Sequence, residues 1–199
     1  MVKVGFIVEG DTEKIIIESK NFGDLCESIQ IEIAEPVQNA KGSGNLLPKN
    51  IDSYLKNLSK SKPEKVVVLT DLEDEASVQD VRDRIKTKGI DIVFVAVKAI
   101  EAWFLADTVA LASWLKVDSV TEEKPEETPN MPWERLNELA NKHNVRGTGP
   151  SKPMFARKII KYHNFSIVRA AEHPNCPSAK EFYDVLKRWG ITKQNVNNF

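Results

Sequence analysis

Residues 3–13 read Lys3-Val4-Gly5-Phe6-Ile7-Val8-Glu9-Gly10-Asp11-Thr12-Glu13. An apolar run of strand length ends in a carboxylate, and a glycine and two further acids follow before helical spacing begins. A strand without polar alternation is buried on both faces, as in a parallel sheet. The helix after it is predicted over 12–26, with Ile15, Ile16, Ile17 and Leu25 to cover one face. The same pattern recurs downstream. Residues 28–34 alternate as a half-exposed strand, 36–45 form a loop containing Gly42-Ser43-Gly44, and 46–58 return to helical spacing. Residues 65–70 are a second fully apolar strand; Ser77 caps a helix carrying Val78, Val81 and Ile85 that stops at Gly89; residues 91–97 are a fourth strand.

Strands alternating with helices imply an α/β fold: a mostly parallel four-stranded sheet with helices on both faces, because parallel neighbours need crossover connections. After residue 98 strand signals cease. A helix rich in Trp103, Phe104, Leu105, Leu111, Trp114 and Leu115 is predicted over 102–115, and an exposed acidic loop over 118–130. Helices over 132–142, 153–162, 166–172 and 178–189 make a small all-helical C-terminal part. The expected organisation is an α/β domain over 1–116, an acidic loop over 117–131 and a basic helical region over 132–199.

Composition agrees with a folded chain. At 199 residues and 41% hydrophobic there is material for one sizeable core. The apolar stretch at 90–97 falls well short of the ~20 residues a membrane-spanning helix needs. No signal-peptide pattern opens the chain, so the expected location is the cytoplasm. Cys26 and Cys176 lack metal-ligand or CxxC spacing, and neither a disulfide framework nor a zinc site is indicated. The net charge of -1 conceals an asymmetry: residues 1–141 carry 17 Lys and Arg against 26 Asp and Glu, and residues 142–199 carry 11 against 3. An acidic front and a basic back can place a cation site beside a phosphate-binding surface, or simply attract one another.

In parallel sheets ligands gather outside the carboxyl ends of the strands. Glu9 falls at the tip of the first strand and Glu13 one turn into the next helix; Asp71 falls at the tip of the third, with Glu73 two residues on. If those strands are neighbours, four carboxylates converge and repel unless protons or a cation intervene. An all-oxygen donor set suits Mg²⁺ or Mn²⁺. Glu101, which opens the aromatic helix, can supply a further acid or simply favour a helix N-terminus.

The Val8–Glu13 segment, followed some sixty residues later by a strand ending in acid-x-acid, resembles the Toprim domain of topoisomerases, primases and OLD-family nucleases. Ile100-Glu101-Ala102-Trp103-Phe104-Leu105-Ala106-Asp107, Ser151-Lys152-Pro153 and Cys176-Pro177-Ser178-Ala179-Lys180 resemble more closely the DUF4276 family, a Toprim-like group of prokaryotic proteins, over nearly the whole chain. The resemblance implies a Toprim fold in which Glu9, Asp71 and Glu73 hold Mg²⁺, with Glu13 matching the second glutamate of the OLD-type motif. Glu73 stands where the usual pair has aspartate, so its carboxylate reaches one methylene further.

The expectation is therefore a metal-dependent hydrolase, a nuclease acting on DNA or RNA in prokaryotic defence or repair. Glu9 and Glu13 would serve catalysis, and Lys152, in Arg146-Gly147-Thr148-Gly149-Pro150-Ser151-Lys152, would neutralise phosphate. Arg146, Lys152, Arg157, Lys158 and Lys161 are candidates for contacting a nucleic-acid backbone, or form a solvated face. His143, His163 and His173 lack ligand spacing. The alternative is a non-catalytic adaptor for a partner protein from a neighbouring gene; a receiver-like phosphoacceptor with Lys98 ranks last.

Overall fold

Strand β1 (Val2–Val8) is buried along almost its whole length, and it takes a central place. The sheet runs β2 (Ile31–Asn39), β1, β3 (Lys65–Asp71), β4 (Ile92–Ala96), and every neighbouring pair is parallel. The computed structural model describes the backbone of residues 1–196 and side chains as far as Thr192; residues 197–199 of the expected C-terminal region lie outside the described residues.

The pleat divides the strand side chains between two cores. Ile7, Val68, Val93 and Val95 pack with Ile51 and Leu58 of α3 (Pro48–Ser59) and Val81 and Ile85 of α4 (Val78–Ile85). On the opposite face Val4, Phe6, Val8, Val67, Leu69 and Phe94 meet α1 (Asp11–Ile17) and α2 (Lys20–Ser28). The same cluster continues through α5 (Glu101–Ala106), α6 (Thr108–Leu115), α7 (Pro132–Lys142), α8 (Lys152–His163), α9 (Ile167–Glu172) and α10 (Pro177–Val196). The C-terminal helices thus share the core of the sheet. Phe182 of α10 lies among Phe94, Trp103, Phe22 and Phe6 with ring centroids at 4.9, 5.3, 5.9 and 6.4 Å. Farther along α10, Gly190 approaches so closely that a Cβ there would fall 1.7 Å from the Ile29 carbonyl oxygen.

Several boundaries differ from the sequence expectation. The helix predicted over 12–26 is two helices, because Ser19 caps a new start: its hydroxyl accepts from the Phe22 amide at 3.2 Å. Ser28 ends α2 instead of opening a strand, and β2 continues past Pro36 to Asn39 where a loop was predicted. An edge strand tolerates proline, which has no amide to lend a second neighbour. The helix predicted over 102–115 breaks at Asp107, whose carboxylate caps α6 through the Ala110 amide and takes a bidentate Arg169 contact at 2.7 and 2.9 Å.

The acidic loop is not simply exposed. Glu126 is buried and accepts from the Ser178 amide at 3.0 Å, the Cys176 thiol at 3.3 Å and the Ser178 hydroxyl. It thereby caps the N-terminus of α10 from 52 residues away. Trp103 donates its indole N–H to the same hydroxyl at 2.8 Å. The Cys176-Pro177-Ser178 run is therefore a structural joint between loop, helix and core.

Candidate functional site

Pairing of β1 with β3 sets Val8 opposite Leu69, so Glu9, just past the end of β1, lies beside Thr70 of β3. Glu9 is fixed there: its amide donates to the Leu69 carbonyl at 3.0 Å, and its Oε2 accepts from the Thr70 hydroxyl and, at 3.2 Å, from the Asp71 amide. Pairing of β3 with β4 sets Asp71 against Ala96. The chain after β4 then turns so that the Ile100 amide donates to Asp71 Oδ1 at 2.8 Å. One residue later Glu101 opens α5 with only 1% of its surface exposed. Glu13, in the first turn of α1, accepts from the Gly10 amide at 3.0 Å, one of the donors a helix start leaves free. Lys152 opens α8, which packs against α1, and donates to Glu101 Oε2 at 3.0 Å.

Four carboxylates and one ammonium share this edge, and the crowding shifts Glu13, Asp71, Glu101 and Lys152 from their ordinary values. Burial pushes Glu13 up to about 7, with the Glu101 and Glu9 charges adding to the shift. Desolvation, then Glu13, Glu101 and Glu9, hold Asp71 well above the usual carboxylate range, with Lys152 opposing. Burial also raises Glu101 against the pull of Lys152. Burial alone would lower the Lys152 ammonium, but Glu101, Asp71 and Glu13 outweigh it and hold that group above its ordinary value. Oε1 of Glu101 is buried with no hydrogen-bond partner. An unpaired buried acceptor costs roughly 1–3 kcal/mol, and a proton or a cation would satisfy it.

The sign of the pH effect follows. A carboxyl whose folded pKa is raised favours the folded state fully below its unfolded value, and that contribution is lost as pH rises through the folded one. For Glu13 the window is about 4.5 to about 7, on the order of 3 kcal/mol at full loss. Thermal melts in a chelating buffer are expected to show Tm falling from pH 5 to pH 8, and Glu13→Gln is expected to flatten that fall.

The remaining candidates divide. Glu73 is exposed, sits at φ 49°, and makes no side-chain hydrogen bond or ion pair among the described residues; its amide alone is tied, to the Lys98 carbonyl at 2.8 Å. A glutamate in the left-handed region costs roughly 1–2 kcal/mol. Asp11 is committed elsewhere, to Lys41 at 2.5 Å and Asn39 at 2.7 Å. Lys98 is tied to the loop carbonyls of Thr128 and Asn130. Arg146, Arg157 and Lys161 are exposed and Lys158 is half-buried. Thr70, fully buried, was not singled out by sequence reading; its position directly before a strand-tip acid was the available signal. A cavity of about 560 Å³ beside α6 and α9 contains none of these acids, and its Arg169 is engaged by Asp107.

An all-parallel α/β sheet with a carboxylate cluster at the carboxyl ends of its two central strands defines an acid-edged α/β protein. The chain belongs to the DUF4276 family, whose model, described as a domain of unknown function, matches residues 8–187. That span holds every residue of the cluster. No curated protein and no solved structure matches the chain. Among the described residues no helix is long and apolar enough to cross a membrane.

Proposed function

We propose that the protein is a Mg²⁺- or Mn²⁺-dependent, Toprim-like phosphoryl-transfer enzyme, a nuclease acting on nucleic-acid phosphodiesters. The observation that carries this reading is the excess of carboxylate at one sheet edge: Glu9, Glu13, Asp71 and Glu101 face a single ammonium, and one buried oxygen of Glu101 has no partner. The donor set fits a hard divalent cation, since every anionic donor is a carboxylate oxygen. Among the described residues no three His, Cys, Asp or Glu side chains converge as a ready-made cage. Mg²⁺ does not require one, because it keeps several waters and is commonly held by one or two carboxylates with substrate phosphates.

Glu9 and Asp71 would hold the ion, with Glu73 reaching in from its exposed turn. When bound, the ion would polarise a phosphate oxygen and lower the pKa of a water. Thr70 and the Asp71 amide orient Glu9, and the Ile100 amide orients Asp71. Glu13, whose pKa burial raises to about 7, would exchange a proton as a general base. Lys152, with 41% of its side chain exposed, presents an ammonium to an arriving phosphate.

A panel of single- and double-stranded DNA and RNA with Mg²⁺ or Mn²⁺ tests this. Cleavage is expected from the wild type and at least ~100-fold less from Glu9→Ala, since even residues that only support a metal ligand are worth 10–100-fold. Equal cleavage by that variant would overturn the assignment. The second reading, a non-catalytic adaptor, draws on the Lys152–Glu101 pair, which already places a cation inside the cluster. It predicts no calorimetric heat and no change in Tm with millimolar Mg²⁺ or Mn²⁺.

A further inference from the structure

Residues 142–171 contain seven Lys and Arg and no Asp or Glu. Only Lys152 and Arg169 of these form ion pairs among the described residues, and both partners lie outside the segment. Lys142, Arg146, Arg157, Lys158 and Lys161 form no ion pair among the described residues. The crowding is mutual: burial and the charges of Arg146 and Lys116 hold the Lys158 ammonium below its ordinary value. Such a face is complementary to a polyanion.

The face is also not purely charged. Met154, Lys158 and Tyr162 stand four residues apart on α8 and so form one stripe. Tyr162 is 67% exposed and Met154 57%, an unusual outlay of apolar surface on a basic helix. Lys161 Nζ lies 5.2 Å from the Tyr162 ring centroid, and Lys158 Nζ lies 5.8 Å from that of Trp114. Beside the stripe a groove of about 450 Å³ is lined by Ile15, Ile160, Arg157, Lys161 and Asn164. Arg157 is near enough to Asp11, at the start of α1, to lower its carboxyl pKa, behind the larger effect of the Lys41 hydrogen bond. The helix therefore begins at the carboxylate edge with Lys152 and carries its basic and aromatic groups away from it.

We infer that the outward face of α8 is a track for single-stranded nucleic acid, with a base stacked on Tyr162 and phosphates carried by Lys158, Lys161 and Arg157 toward the carboxylate edge. The inference rests on the nucleic-acid reading above and adds strandedness to it. A duplex hides its base faces and offers phosphates, for which lysines suffice; an exposed ring gains its partner only from an unstacked base. Ten residues of helix from Lys152 to Tyr162 span ~15 Å, room for a few nucleotides of a single strand.

The test is fluorescence anisotropy in metal-free, low-salt buffer with a labelled oligothymidylate of about 12 nucleotides, within the usual site size for such tracks, and a hairpin duplex of equal charge. Single-strand binding is expected to be about tenfold tighter than duplex binding. Tyr162→Ala is expected to lose about tenfold, Tyr162→Phe to retain affinity, and Lys161→Ala to reduce the salt slope by about one. Equal affinity for the duplex, an unchanged Tyr162→Ala, or binding only to anionic lipid vesicles would each overturn the track. Because no metal is present, the outcomes separate from those of the nuclease reading. Single-strand binding here with no cleavage in the separate Mg²⁺ and Mn²⁺ panel leaves the track standing and removes the nuclease; cleavage in that panel with single-strand binding unchanged by Tyr162→Ala removes the track alone.

Discussion

Asp71→Asn is expected to melt at a higher temperature than the wild type in metal-free buffer at pH 8, while losing at least ~100-fold in Mg²⁺-dependent cleavage. The stability gain follows from charge. Asp71 is held well above the ordinary carboxylate range by desolvation and then by Glu13, Glu101 and Glu9, so its ionisation opposes folding. The amide keeps an oxygen for the Ile100 N–H, now at 2.8 Å, and brings an NH₂ that can donate to a neighbouring carboxylate. Relief of about 1–2 kcal/mol corresponds to ~2–8 °C for a chain of this size. Magnesium is expected to raise Tm of the wild type and to leave the variant little changed. Thermal melts with and without Mg²⁺ and a cleavage assay on the same preparations check both halves. A structural acid would show the opposite pattern, with stability falling and activity following it.

Phe182→Ala is expected to destabilise by about 3–5 kcal/mol, or ~6–20 °C in Tm. The ring is fully buried and touches Phe6 on β1, Phe22 on α2, Phe94 on β4 and Trp103 on α5. Aromatic pairs add to the value of burial, and little can collapse into a space walled by strands. Because the hole lies between α10 and the sheet, the whole chain is expected to unfold in one transition at the lower temperature. Chemical denaturation followed by both far-ultraviolet dichroism and tryptophan fluorescence checks this. A separate, unaffected transition for the sheet would show that the C-terminal helices fold on their own.

Much of the fold was legible because buried parallel strands leave a distinctive mark. Val66 to Leu69 and Val4 to Val8 carry no charged or polar side chain and do not alternate, and each lies in a central strand. The errors fall where local and tertiary preferences diverge. Apolar residues on both sides of Glu18 and Ser19 continue a helical pattern, so periodicity joins what the Ser19 cap separates. Asp107 sits in an apolar run, yet Arg169 and the Ala110 amide make it a break. Glu126 reads as one acid among many in a polar stretch; the Ser178 amide and hydroxyl and the Cys176 thiol at the start of α10 give it buried partners.

Chain order alone put Glu9 and Asp71 at strand tips, because an acid ending an apolar strand has nowhere to go but the carboxyl edge. It equally put Glu13 one turn into a helix and left Glu101 and Lys152 as unconnected candidates. The tertiary structure decided their company. Parallel pairing of β1 with β3 and of β3 with β4 brings Glu9, Asp71 and the start of α5 together, and the packing of α8 on α1 delivers Lys152 to Glu101 across 51 residues. The turn after β3 left Glu73 exposed. The physical reason is one of range: burial and periodicity act through neighbours in sequence, whereas charges interact through space, and which charges meet is set by register and helix docking.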